Sequence, residues 1–213
     1  GPGLWFDANA FSPDGQRLLA TRGADLIVLD IASGRTIPLT KDGDPGTIEN
    51  GHRAGWSPDG QWIAYIQSDS SAVPKRAVLV PGDPTYRTFR EQRFERIGGP
   101  ISTFRIGVVG VDGGPTRWIE LADKPGTFYL NQVSWAGNSD EVMIDKLSRG
   151  RDAREVLLAN HRSGAITKAY AATDPAWVVS WVDMEPGGLE WVRGSETFVI
   201  FSERDGWRRA YVG

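Results

Sequence analysis

Short apolar runs separated by compact polar turns fill this chain from residue 11 to its end, the pattern of many short strands. The runs repeat. Phe11-Ser12-Pro13-Asp14-Gly15-Gln16-Arg17-Leu18-Leu19-Ala20 recurs as Trp56-Ser57-Pro58-Asp59-Gly60-Gln61-Trp62-Ile63-Ala64-Tyr65. A degenerate third copy begins at Trp135, passes Ala136-Gly137-Asn138-Ser139-Asp140 and enters Val142-Met143-Ile144. Each copy is an aromatic residue, a turn, then an apolar strand. Proline presets the backbone angle of the turn, and Asp-Gly or Asn-Ser supplies the chemistry that reverses the chain.

A second turn follows each copy. In the first unit Leu26 to Ile31 reads as a strand, Ser33-Gly34 as a turn and Thr36 to Thr40 as a strand. The counterparts are Phe104 to Val111, Asp112-Gly113-Gly114 and Arg117 to Leu121, then Glu155 to Ala159, Ser163-Gly164 and Ala165 to Tyr170. Each unit is therefore expected to hold four short antiparallel strands. The aromatic residues that open the first two copies, 11 and 56, are 45 residues apart, the period of a propeller blade. The next interval, from 56 to 135, is 79, so the second unit is expected to carry an insertion at 69–102. A fourth unit is expected to start near Trp177, with strands at Phe198 to Ser202 and Arg208 to Val212.

The fold expected is all-β: β-propeller blades of four antiparallel strands, about three and a half of them, at 8–40, 53–121, 130–170 and 176–213, the last incomplete. An ordinary β-sandwich is the competing reading, and near-identity across ten residues weighs against it. An open set of blades leaves apolar faces and strand edges uncovered, which points to a piece of a larger propeller. Gly1-Pro2-Gly3 reads as the remnant of a cleaved tag.

Composition agrees. Nine tryptophans with 26 glycines and 13 prolines suit short strands and tight turns, and suit long helices badly. The absence of cysteine excludes a disulfide framework, a thiolate zinc site and a cysteine nucleophile. A net charge of −3 gives no electrostatic reason to expect nucleic acid. No apolar stretch approaches the length of a membrane span.

Candidate chemistry within the chain is sparse. There is no Gly-x-Ser-x-Gly elbow, no His-Glu-x-x-His, no phosphate-cradling glycine loop and no dinucleotide fingerprint. No catalytic residue, metal ligand or cofactor is assigned. His52 and His161, the two histidines, read as loop or surface residues. Asp42-Gly43-Asp44-Pro45-Gly46 with Glu49 has a faint likeness to a calcium loop but is read as a solvated turn. Arg87, Arg90, Arg93 and Arg96, interleaved with aromatic residues, resemble a single-strand nucleic-acid surface. Glu91 and Glu95 among them favour a salt-bridged, partly buried loop. Trp177 is read as blade core.

The Ser-Pro-Asp-Gly units resemble the broad propeller class that includes the TolB translocation protein. The order narrows it: Trp56 to Tyr65, Ser71-Ala72-Val73-Pro74, Arg93 to Gly99, Phe104 to Val111, Val133-Ser134-Trp135, Leu147-Ser148-Arg149, Ala176-Trp177-Val178 and Ser202-Glu203-Arg204-Asp205-Gly206-Trp207. This series is similar to the N-terminal propeller of dipeptidyl peptidase IV-like serine peptidases, family S9. The resemblance implies an eight-bladed parent propeller joined to a C-terminal α/β-hydrolase domain with a Ser-His-Asp triad. It also implies a peptide substrate reached through that domain, and a periplasmic or secreted location.

Departures bear on specificity. Family members carry two adjacent glutamates after the Asn-Gly pair, where they hold the substrate's free amine. Here Glu49-Asn50-Gly51-His52-Arg53 runs straight into Gly55-Trp56, without that pair. Glu49 and Arg53 are the candidate substrate-binding residues in this segment, and Trp181 falls where the family places an aromatic side chain at an outer subsite. The leading function is a non-catalytic propeller that gates a serine exopeptidase. The alternative is a TolB-like module that binds a peptide or protein without a hydrolase partner.

Open blade edges also imply self-association. The 213-residue chain is expected to be marginally soluble or to elute as an oligomer in size-exclusion chromatography with light scattering; a clean, highly stable monomer would refute the open-edge reading.

Overall fold

The computed structural model describes residues 10–80, 82, 85–178, 188–192 and 194–213. They form strands β1 (Arg17–Arg22), β2 (Asp25–Asp30), β3 (Thr36–Pro38), β4 (Ile48–Trp56), β5 (Trp62–Asp69), β6 (Lys75–Val80), β7 (Thr88–Arg93) and β8 (Thr103–Gly110). Then follow β9 (Arg117–Ile119), β10 (Phe128–Trp135), β11 (Glu141–Ser148), β12 (Ala153–Asn160), β13 (Ile166–Thr173), β14 (Leu189–Trp191), β15 (Phe198–Ser202) and β16 (Arg209–Val212). All pair antiparallel, in sheets β1-β2-β3, β4-β5-β8-β9, β10-β11-β12-β13 and β14-β15-β16, with β6-β7 as a separate hairpin. The second sheet starts at Ile48, ahead of the expected 53. In the first sheet, Phe11 bridges Leu18 and Leu19 N–H donates to Ala10 O at 2.7 Å, so the chain before β1 occupies the innermost place.

Alternation along each strand explains the stacking. On β5, Ile63 and Tyr65 join Leu19, Leu26 and Val28 in the seam with the first sheet. The residues between them, Ala64 and Ile66, join Val133, Trp135, Val142 and Ile144 in the seam with the third. On β11 the next face turns outward again: Met143, with Val156 of β12, packs against Leu189, Phe198 and Ile200 of the fourth. A period of two with both faces apolar requires a sheet covered on both sides.

The repeated turn is built identically in its two close copies. Ser12 and Ser57 hydroxyls donate to Asp14 and Asp59, each at 2.5 Å, and accept the backbone N–H of Arg17 and Trp62 at 2.9 and 3.0 Å. Asp14 and Asp59 also accept from the N–H of Gln16 and Gln61, both at 3.0 Å. These bonds hold both carboxyls below their ordinary range. Gly15 and Gly60, at φ of 72° and 69°, occupy the left-handed conformation that the turn needs.

The aromatic residue that opens each copy has a second task. The Trp56 indole N–H donates to Ala10 O at 2.8 Å, and that of Trp135 to Gly55 O at 3.0 Å, so each ring ties its own sheet to the innermost strand of the preceding one. In the fourth sheet this position belongs to Trp191, whose indole N–H turns to Ser195 O at 2.8 Å. Trp177 is not core. It lies on the connection after β13, its N–H capped by Asp174 at 3.0 Å, and its side chain is 57% exposed.

The insertion is likewise more ordered and more exposed than expected. It folds as β6 paired with β7, Leu79 opposite Phe89, and Lys75 reaches Glu91 at 3.5 Å. Both strands lie mostly in solvent, and no second sheet among the described residues covers them.

Between the third and fourth sheets lies an ion pair with almost no solvent contact. Arg154 Nε and Nη2 donate to Asp145 Oδ1 and Oδ2 at 2.9 and 2.8 Å, with the side chains 3% and 1% exposed. Arg154 Nη1 continues to Phe201 O on β15 at 3.3 Å. Replacing one partner leaves the other charge buried and unpaired. Arg154→Leu is expected to lower the unfolding free energy by about 3–5 kcal/mol in urea titrations, and the double Asp145→Leu/Arg154→Leu variant to recover most of it.

Candidate substrate-facing site

An antiparallel meander brings the start of its first strand, the turn between its second and third, and the end of its fourth to one edge. Here that edge collects the starts of β4 and β10, the connection carrying the β6–β7 hairpin, the β11–β12 turn and the segment after β13. Backbone bonds lace them together. Ser70 N–H donates to Thr47 O at 2.8 Å, Arg149 N–H to Thr127 O at 3.0 Å and Asp174 N–H to Asp152 O at 2.9 Å. Arg93 anchors the hairpin, with Nη1 donating to Val73 O at 2.7 Å and Ser71 O at 3.0 Å, and Nε to Gly46 O at 3.1 Å. Arg149 Nη2 bonds Gly99 O, which closes the far end of the insertion onto the third sheet.

Glu49 lies on this edge, exposed, and pairs in register with Ser68. Its neighbour Asn50 points inward and is fully engaged. Asn50 Nδ2 donates to Asp25 at 3.1 Å and Asp42 at 3.0 Å, while its Oδ1 accepts from Gln67 Nε2 at 3.0 Å. Gln67 also donates to Asp42 at 2.8 Å, and Asp25 accepts from the Thr40 hydroxyl at 2.7 Å and Gly43 N–H at 3.0 Å. Asp42 therefore serves a network joining the first two sheets, and the Asp44 carboxylate accepts the Thr47 hydroxyl. The segment is the exposed turn expected, and its Asp42 carboxylate also ties the first two sheets together.

Arg53 lies farther along β4, in the left-handed region at φ 52°, within the second of two breaks in the register with β5, that between His52 and Gly55. Gly51 precedes it at φ 101°, where a side chain's Cβ would come within 2.6 Å of Leu26. Glu49 and Arg53 thus share a strand whose irregular stretch separates them. Trp181 lies outside the described residues. His161 is not a surface residue: it is 5% exposed, its ring 4.9 Å from that of Trp62 and 5.5 Å from that of Trp135. Neither ring nitrogen closes a well-formed hydrogen bond among the described residues, and burial outweighs the nearby Ser139 backbone and Asp140 to hold its pKa below the ordinary value. A histidine enclosed by two indoles is placed for packing, not for proton transfer.

Sequence reading missed Arg151. It sits in the β11–β12 turn at φ 59°, its guanidinium 5.5 Å from the Tyr129 ring centroid and 5.6 Å from that of Trp177. Neither backbone angle nor ring contact has a local sequence signal. Among the described residues no cluster of three or more acidic or histidine side chains suits a metal ion.

Comparison with known proteins decides the family. The model of the dipeptidyl peptidase IV (DPP IV) N-terminal region matches residues 7–212. The chain belongs to that family. Among curated relatives of this N-terminal region, probable dipeptidyl-aminopeptidase B of Pyrenophora tritici-repentis is 21% identical over 198 residues, covering 79% of this chain and 22% of that protein. Inactive dipeptidyl peptidase 10 of Mus musculus is 24% identical over 187 residues, covering 79% and 23%. The chain thus spans less than a quarter of the length of these relatives.

In structure, the chain is similar to dipeptidyl peptidase 4 of Porphyromonas gingivalis. The TM-score is 0.83 at 20% identity, over 95% of this chain and 30% of that one. A putative TolB from Agrobacterium tumefaciens gives 0.53 at 16% identity, over 98% and 58%. The fold is the β-propeller of the dipeptidyl peptidase IV N-terminal region.

The buried His161 gives this DPP IV N-terminal propeller a defined acid response. Its folded pKa is depressed below 6.5, so the neutral form stabilises the fold above that value and the contribution is lost as pH falls below it. The urea midpoint is expected to fall between pH 7.5 and 5.5, and to fall much less in His161→Phe. Parallel curves for the two proteins would refute the assignment. Carboxylates held low by hydrogen bonds, such as Asp14 and Asp59, lose their contributions only in more acidic solution.

Proposed function

We propose that this chain is the non-catalytic propeller portion of a dipeptidyl peptidase IV-like serine exopeptidase, gating substrate access and shaping the peptide-binding side of its active site. The family match along residues 7–212 carries the reading. The small share of each relative that is covered supports a parent with a further hydrolase domain. The four main sheets would be successive blades of a larger ring. The substrate-facing side is the edge that carries Glu49 and the hairpin, with Arg53 and Trp181 as further contacts. Without the glutamate pair, recognition of a free amino terminus falls to Glu49 alone, which weakens selection for that group. The open faces of the first and last sheets would be covered by the parent's other blades or by a second copy.

A TolB-like binding module is the second reading, favoured by the structural likeness over 98% of this chain. A relative named as inactive supports a parent that binds without hydrolysing.

Expression from the native gene separates the two. A product well above 23.3 kDa that labels with a fluorophosphonate serine-hydrolase probe is expected. A product of 23.3 kDa without labelling would overturn the peptidase reading in favour of the binding module.

A further inference from the structure

Arg151 combines features that ordinary surface arginines of this chain do not share. Its left-handed backbone, at φ 59°, is unfavourable for a side chain of its kind, where glycine or asparagine is the ordinary choice. Two backbone bonds hold it there: Arg151 N–H donates to Ser148 O at 2.9 Å, and Val178 N–H donates to Arg151 O at 2.7 Å. The second bond brings Trp177 to the guanidinium from the far side of the third sheet, and Tyr129 on β10 supplies the other ring.

The nearby acids are spent elsewhere. Asp152 accepts the Ser148 hydroxyl at 2.6 Å, which holds its carboxyl below the ordinary range. Asp174 caps the N–H groups of Ala176 and Trp177 at 2.8 and 3.0 Å. Arg149, the neighbouring cation, bonds Gly99 O. Arg151 is left with two ring contacts and, among the described residues, no carboxylate and no hydrogen-bond acceptor for its guanidinium.

We propose that Arg151, held on its flanks by Tyr129 and Trp177, is a carboxylate-binding subsite that takes an acidic side chain of a bound peptide. A guanidinium presents its donors in a fixed fork matched to a carboxylate, and aromatic contact removes the freedom that the fork would otherwise lose on binding. The 57% exposed Trp177 ring beside it offers apolar surface for the carbon atoms next to that carboxylate. The peptide as ligand rests on reading this edge as the substrate-facing side; the carboxylate chemistry rests on Arg151 itself.

The test is 19F NMR of the 213-residue chain labelled with 5-fluorotryptophan, the Trp177 resonance assigned by Trp177→Phe. Acetyl-Asp-Gly amide is expected to shift that resonance saturably, and acetyl-Asn-Gly amide to bind about tenfold more weakly or worse. Arg151→Asn should abolish the preference with no loss of thermal stability, because asparagine accepts the left-handed conformation. An unmoved Trp177 resonance, equal binding of the two peptides, or an undiminished preference in Arg151→Asn would each overturn the proposal. The measurement needs no hydrolase. A parent that fails to label with the fluorophosphonate probe removes the peptidase reading and leaves this binding intact.

Discussion

A twisted antiparallel sheet that is apolar on both faces is stable only if each face is covered, and in this chain the covering is another sheet of the same kind. Ile63 and Tyr65 face one neighbour while Ala64 and Ile66 face the other; Val142 and Ile144 alternate with Met143 in the same way. Stacking side by side about a common axis follows from that requirement, and the tryptophans fix how the sheets meet. Trp56 and Trp135 each fill a seam and donate an indole hydrogen bond to the strand before it, so one residue supplies both the apolar area and the alignment. Gly107 shows the tolerance at such seams: opposite Tyr65, a Cβ would approach the ring to 2.7 Å.

The polar groups admitted to the seams are those whose bonding is completed there. Asp145 and Arg154 close a bidentate pair, Asn50 ties Asp25 to Asp42, and Lys146 meets Asp123 at 2.6 Å and Glu155 at 2.7 Å. The Tyr65 phenol, pushed by burial up to about 12, reaches the Thr116 hydroxyl at 3.1 Å. His161 is the exception, buried between two indoles without a well-formed hydrogen bond to either ring nitrogen, so burial disfavours its charged form. These contacts lock the sheets to one another, while the loops at the hairpin-bearing edge are the more exposed part of the fold. There, backbone bonds from Ser70, Arg93 and Arg149 hold the insertion against the second and third sheets.

The sequence by itself determined the repeating element. Ser-Pro-Asp-Gly specifies its own turn through bonds spanning no more than five residues, and the alternation of apolar positions specifies strands with two buried faces. The family resemblance was legible for the same reason, since it rests on these local units and their order. Tertiary structure alone decided what depends on contact between distant segments. It set Trp177 in solvent and gave its expected place to Trp191. It buried His161 between indoles contributed by two sheets, and brought Arg151 to Tyr129 and Trp177, 22 and 26 residues away along the chain. Local chemistry can be read one residue after another. Burial and the pairing of charges depend on which sheet lies against which, and that is settled only when the seams close.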